Sequence, residues 1–235
     1  MANAQRYCIC ITPSSLPKDE RERLSRQRAA LLKSARWDAG TEISVSFLEG
    51  SDFLRRRVRH HAESWIGTDM ANLTFDWRDE GPSDIRIAFV PGDGSWSYLG
   101  TICRKITDQS APTMNFGWLT DESGEDEIRS VVLHEFGHAL GLIHEHQNPK
   151  GGIEWNEDAV IADLSGPPNE WDEDTIKRNV LDPYDPQAVQ STELDPASIM
   201  MYPIPNAWTV GDFSTGFNGE LSERDRQLIR DAYPF

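Results

Sequence analysis

Two histidines four residues apart, with a glutamate directly after the first, stand at His134-Glu135-Phe136-Gly137-His138. On a helix, positions i and i+4 share a face, so both imidazoles can reach one metal ion. Glu135 then sits beside that ion, where a carboxylate can hold a water and take its proton. The run continues through Gly141 to His144. A glycine at 141 can adopt left-handed backbone, stop the helix and turn the chain sharply, which brings His144 back towards the other two. Three nitrogen ligands leave a fourth position open for water, as a catalytic zinc requires; a structural zinc is normally closed by four protein ligands. The chemistry expected is hydrolysis without a covalent intermediate. Zinc polarises the scissile carbonyl and lowers the pKa of its bound water towards roughly 7, while Glu135 moves the proton to the leaving amine.

A helix must present this set. Ser123 with Asp126 three residues on reads as a capping box that opens it, and Ile128, Val131, Val132, Leu133 and Phe136 carry it forward. Upstream, residues 42–48 alternate polar and apolar and predict a half-buried strand. Residues 84–90 and 113–117 predict further strands, and 95–99 a short one at an edge. Phe53, Leu54, Val58, Ala62, Trp65 and Ile66 recur at helical spacing behind Ser51 or Asp52 as a cap, which puts His60 and His61 on a helix surface. A charged stretch over 17–34 predicts a helix in an N-terminal arm, and Ser222-Glu-Arg-Asp225 opens a last helix ending near Tyr233. Strands mixed with two long helices, followed by an irregular Pro- and Trp-rich stretch, imply an α/β or α+β domain.

The bulk properties bound the partners. A chain of 235 residues suits one domain, and a net charge of −16 repels nucleic acid and anionic lipid, so neither is expected as a partner. No apolar run approaches the roughly 20 residues of a membrane helix. Three cysteines form no disulfide framework, and the first residues lack the apolar stretch of a signal peptide. The expectation is a reducing, cytoplasmic setting, or export of a protein whose leader is missing from this chain.

The pattern from His134 to His144 resembles the zinc motif of the metzincins. Glu145, directly after the third histidine, and Ser198-Ile-Met-Met-Tyr202 resemble the astacin family and its Met-turn. Ser95 to Gly100, Tyr184-Asp-Pro and Leu221-Ser-x-x-Asp225 are weaker echoes; together they cover roughly 37–233 and look most similar to the bacterial and fungal branch. The resemblance implies a metzincin fold: a twisted, mostly parallel sheet with an antiparallel edge strand, two long helices, and zinc in a cleft above an irregular C-terminal subdomain. It divides the chain into an arm (1–36) and a catalytic domain (37–235) with upper (37–144) and lower (145–235) parts. It implies one catalytic zinc on His134, His138 and His144, an apolar floor at Met200, and a movable fifth ligand at Tyr202 that hydrogen-bonds the oxyanion. Trp96, Ser97 and Tyr98 become the edge along which an extended peptide or protein substrate pairs.

Departures from the animal members are plain. The two disulfides are missing, and His146 stands where glutamine is usual. Glu145 has no buried amino terminus to meet, so it pairs with a lysine or arginine, or with nothing charged. Tyr7-Cys-Ile-Cys10 offers two readings, a thiolate that blocks the zinc or two buried thiols on a strand; Cys103 reads as core or partly exposed, with no assigned role. Walls of the substrate pockets are expected between 148 and 198. Two rival functions share the ligand set: a zinc amidohydrolase acting on a non-protein substrate, and a binding module that keeps a metal without activity. Oligomeric state and added calcium are not encoded in any recognisable pattern.

Overall fold

Alternation in EISVSF produces strand β2 (Glu42–Phe47), whose Ile43 and Val45 are fully buried. Ser51 then caps helix α1 (Asp52–Ala62) by accepting the Leu54 N–H, and a 3₁₀ turn brings Trp65 into the core. Strand β3 (Thr74–Arg78) follows, then β4 (Ile85–Ala88), β5 (Ser95–Tyr98) and β6 (Met114–Phe116). The computed structural model describes residues 6–11, 35–185 and 193–235; the helix expected over 17–34 lies outside them.

Six strands form one sheet in the order β1-β5-β6-β4-β2-β3, where β1 is the N-terminal segment Ile9–Ile11. β2 runs parallel to both β3 and β4, and β4 parallel to β6; β5 is antiparallel to β6. The mostly parallel sheet with an antiparallel β5 agrees with the expectation. Two details differ. β3 is additional to the expected strands, although TFDWR alternates as a half-buried edge strand should. And β5 is not the edge: β1 pairs with it in parallel, Ile9 opposite Trp96 and Cys10 opposite Ser97.

Helix α2 (Glu125–Ala139) packs across the sheet against α1. Its cap is Gly124, not Ser123, whose hydroxyl is spent in the preceding turn accepting the Thr120 N–H. Glu125, Asp126 and Glu127 serve the positive end of the helix dipole instead. His61 is buried rather than on the surface: its Nε2 lies 2.8 Å from Glu125 Oε1, tying α1 to the first turn of α2. His60 is exposed, as expected. At the other end Trp65, Trp37 and Tyr233 reach the carbonyls of Leu133, Ala139 and Leu140 at 2.9, 2.8 and 2.6 Å. Buried aromatics with a polar tip thus fix α2 in both rotation and height.

Beyond α2 the chain builds a second, smaller core. Helices α3 (Glu157–Leu164) and α4 (Glu173–Ile176), with a π turn after α4, contribute Val160, Leu164, Ile176 and Val180, which pack with Ile204 and Trp208. Helix α5 (Glu223–Ala232) closes the fold behind a full capping box of Ser222 and Asp225. The upper core lies between sheet and helices, the lower one among these irregular segments, and the histidines lie where the two meet.

Candidate active site

Gly141 has φ +93°, the left-handed backbone that ends α2. Leu142 N–H then reaches back to the Gly137 carbonyl at 2.9 Å, and the reversed chain delivers His144 to the two helix histidines. Ligand nitrogens of His134, His138 and His144 lie within 4.8 Å of one another, and all three side chains are buried. The Nε2 atoms of His138 and His144 are 3.1 Å apart.

Each ring is aimed by its other nitrogen. His134 Nδ1 is 2.9 Å from the Ile199 carbonyl, His138 Nδ1 2.8 Å from the Leu142 carbonyl, and His144 Nδ1 3.3 Å from Gln147 Oε1. Carbonyl oxygens can only accept, so Nδ1 carries the hydrogen and Nε2 keeps a free lone pair pointing inward. His134 Nε2 is buried with no hydrogen-bond partner. Burial pushes all three imidazoles down, His134 to about 4, so they stay neutral and able to bind. Three inward, neutral nitrogens with an orphaned lone pair fit a zinc ion and have no other explanation in the packing.

The support beneath is built from distant sequence. Asp225, in the first turn of α5, accepts the Ser198 hydroxyl at 2.6 Å and the Ile199 N–H at 2.8 Å. That fixes the turn whose Ile199 carbonyl orients His134, while the Met200 carbonyl takes the Glu145 N–H at 2.9 Å. Met200 is buried under α2; a Cβ on Gly137 would run into its sulfur and lie 3.2 Å from Trp65. Gly137 is therefore small so that Met200 can close the floor. Sequence reasoning attached no role to Asp225 or Gln147. The capping box at Ser222 was a visible signal for the first, but only the fold brings it to Ser198.

Glu135 is fully buried and neither carboxylate oxygen has a hydrogen bond of good geometry. The Cys8 thiol faces it; burial, then the Glu135 charge, push that thiol far up, and burial pushes Glu135 up as well. Cys10 lies on β1 and packs elsewhere, with Ala35, Leu99 and Ile102. Both thiols are buried, Cys8 just ahead of the strand; Cys8 reaches Glu135 by a side-chain hydrogen bond, while Cys10 feels only its charge. Tyr202 is buried, its ring 4.4 Å from that of His144, and its phenol donates to the Cys8 carbonyl. Trp96, Ser97 and Tyr98 form β5, and β1 lies along it where an extended peptide would pair.

Among the described residues Glu145 meets no cation: it accepts the Asp195 N–H and the Asn148 amide at 3.0 and 3.2 Å, and burial pushes it up to about 7. His146 stands outside the three-nitrogen cluster. It stacks on His144 at 5.1 Å, and its Nε2 is 2.8 Å from the Asn179 carbonyl. Cys103 is core. Beside Cys8 a cavity of about 530 Å³ is lined by Tyr7, Trp118, Val131, His134 and Phe217. Its walls come from residues 6–8, from Trp118 ahead of α2, from α2 and from residues after 198, with Pro168 the one contributor, among the described residues, from the stretch in which pocket walls were expected.

No protein-family model matches the chain. Among solved structures, one of myroilysin superposes with a TM-score of 0.83 at 39% identity, covering 87% of this chain and 98% of that one. The chain belongs to the astacin-like zinc metalloproteases. This astacin-like chain shares its fold with high choriolytic enzyme 1, a hatching enzyme zinc-protease of the medaka Oryzias latipes (TM-score 0.56, 17% identity, 84% and 94% covered). Zinc metalloproteinase nas-38 of Caenorhabditis elegans is 25% identical over 60% of this chain and 17% of its own length. Stromelysin-3 of Rattus norvegicus is 29% identical over 61% of this chain and 31% of its own. The chain thus spans between about a sixth and a third of these curated relatives.

Proposed function

We propose that this chain is a zinc-dependent endopeptidase, held latent by its own N-terminal strand. The observation that carries the reading is the convergence of His134, His138 and His144 around a common point beside the buried carboxylate of Glu135. Zinc, once bound, supplies a Lewis acid for the scissile carbonyl and acidifies a water. Glu135 accepts that water's proton and returns it to the leaving amine, and burial raises its affinity for that proton. Tyr202 donates a hydrogen bond to the developing oxyanion, and Met200 and Gly141 keep the ligands in place. An extended peptide pairs with Trp96, Ser97 and Tyr98 once that strand is free.

Latency rests on Cys8. Its thiol faces Glu135, and β1 fills the substrate's place on β5. Sulfur is a strong zinc ligand, so the thiol suits the fourth position that three histidines leave. The arm and catalytic domain of 1–36 and 37–235 fit this division of labour.

The test is elemental analysis combined with hydrolysis of a broad quenched-peptide library. One zinc per chain is expected in the parent and in Cys8→Ala, with chelator-sensitive peptide cleavage by Cys8→Ala. Cleavage of non-peptide amides alone would favour the amidohydrolase, and zinc without any hydrolysis, even after Cys8→Ala, the binding module.

A further inference from the structure

Tyr7 does more than precede Cys8. Its side chain is buried among Tyr202, Trp208 and Trp171, with ring centroids at 5.1, 5.2 and 6.5 Å. Its phenol donates to the Pro203 carbonyl at 3.1 Å, and its own N–H to Asn169 Oδ1 at 3.3 Å. Behind these rings Val160, Leu164 and Ile176 close the lower core, so the nest is a formed concavity on the folded domain.

Two placements tie the nest to the reaction centre. The Tyr202 ring contacts Tyr7 and lies 4.4 Å from His144. And Tyr7 adjoins Cys8, which faces Glu135, while the chain beyond it runs on as β1 along β5. Successive residues of an extended chain are about 3.3 Å apart. A peptide laid on the same strand, with its scissile bond beside Glu135, therefore carries one flanking side chain to the position of Tyr7.

We propose that Trp171, Tyr202 and Trp208 form a substrate subsite for an aromatic side chain, tyrosine above all, on a residue flanking the scissile bond, and that Tyr7 fills it as a substrate mimic. The proposal rests on the endopeptidase reading. Edge and offset ring contacts favour any aromatic residue, and the Pro203 carbonyl, left unpaired by phenylalanine, favours the phenol. Asp163, which accepts the Trp208 indole N–H at 2.8 Å, sets a negative charge beside the nest and disfavours acidic side chains.

The experiment uses the zinc-loaded full chain carrying Cys8→Ala, which removes the blocking thiol, together with Tyr7→Ala, which vacates the nest. Two quenched peptides differ only in tyrosine or alanine beside the cleaved bond. The expected kcat/KM favours the tyrosine peptide by about tenfold or more, in the range of pocket discrimination. Adding Trp171→Ala, at a half-buried position, lowers the tyrosine rate several-fold more than the alanine rate. Free N-acetyl-tyrosine amide inhibits the chain with Cys8→Ala and Tyr7→Ala more strongly than the chain with Cys8→Ala alone. Equal rates on the two peptides, or a tyrosine preference untouched by Trp171→Ala, overturn the subsite. Absence of chelator-sensitive cleavage of either peptide by every variant overturns the endopeptidase reading beneath it.

Discussion

Tyr202 donates its phenolic hydrogen to the main-chain carbonyl of Cys8. The phenol expected to stabilise an oxyanion is thus satisfied by a carbonyl of the chain's own arm, next to the thiol that faces Glu135. The arm engages both groups through the kind of contact a substrate makes, a carbonyl to a donor and an extended backbone to β5. Inhibition and substrate recognition would then use the same surfaces, so weakening one arm contact should expose the others.

Removing the thiol tests that directly. Cys8→Ala is expected to raise the initial rate of peptide hydrolysis by the full chain. Losing an interaction of roughly 1.4 kcal/mol corresponds to about tenfold. Cys10→Ala, altering a side chain packed against Ala35 and Leu99, should change the rate far less. Comparable activation by both substitutions, or by neither, contradicts the assignment to Cys8.

The floor of the site makes a second prediction. Gly137→Ala would drive a methyl into the Met200 sulfur and the Trp65 ring. Overpacking of this kind costs about 1–3 kcal/mol. Because Ile199 neighbours Met200 and its carbonyl orients His134, zinc affinity should fall with stability. Thermal melting with and without added zinc measures both; a Gly137→Ala chain as stable as the parent would remove Met200 from the floor.

His61 links acid stability to the zinc helix. Burial lowers its pKa, outweighing the hydrogen bond to Glu125 that raises it. The unfolded chain therefore takes up this proton first. The contribution of His61 is complete above the unfolded value near 6.5 and is lost as pH falls through the lower folded value. The melting-temperature advantage of the parent over His61→Gln should be largest above about pH 7 and shrink on acidification. A gap that widens towards acid would show that the charged form is the one stabilised.

Much of this was legible because the period of the pattern matched the element. The i, i+4 histidines and Gly141 needed only a helix and a left-handed stop, and both are present. The Ser222 capping box was readable for the same local reason. What failed depended on distant partners. Ser123 has the composition of a cap, but its hydroxyl is taken by Thr120. His61 looked like a surface residue until the first turn of α2 covered it. The pairing of β1 with β5 joins residues about ninety positions apart, and three residues of strand carry no signal of their partner. The nest around Tyr7 likewise draws on residues 160 to 208, whose spacing is irregular.

The central claim is that Glu135 performs proton transfer at a zinc held by three histidines. Zinc content and peptide cleavage, measured side by side for Cys8→Ala and for Cys8→Ala with Glu135→Gln, test it most directly. The account predicts one zinc in each protein, with chelator-sensitive cleavage by the first and almost none by the second. Substantial cleavage by the glutamine variant, or loss of its zinc, would contradict it.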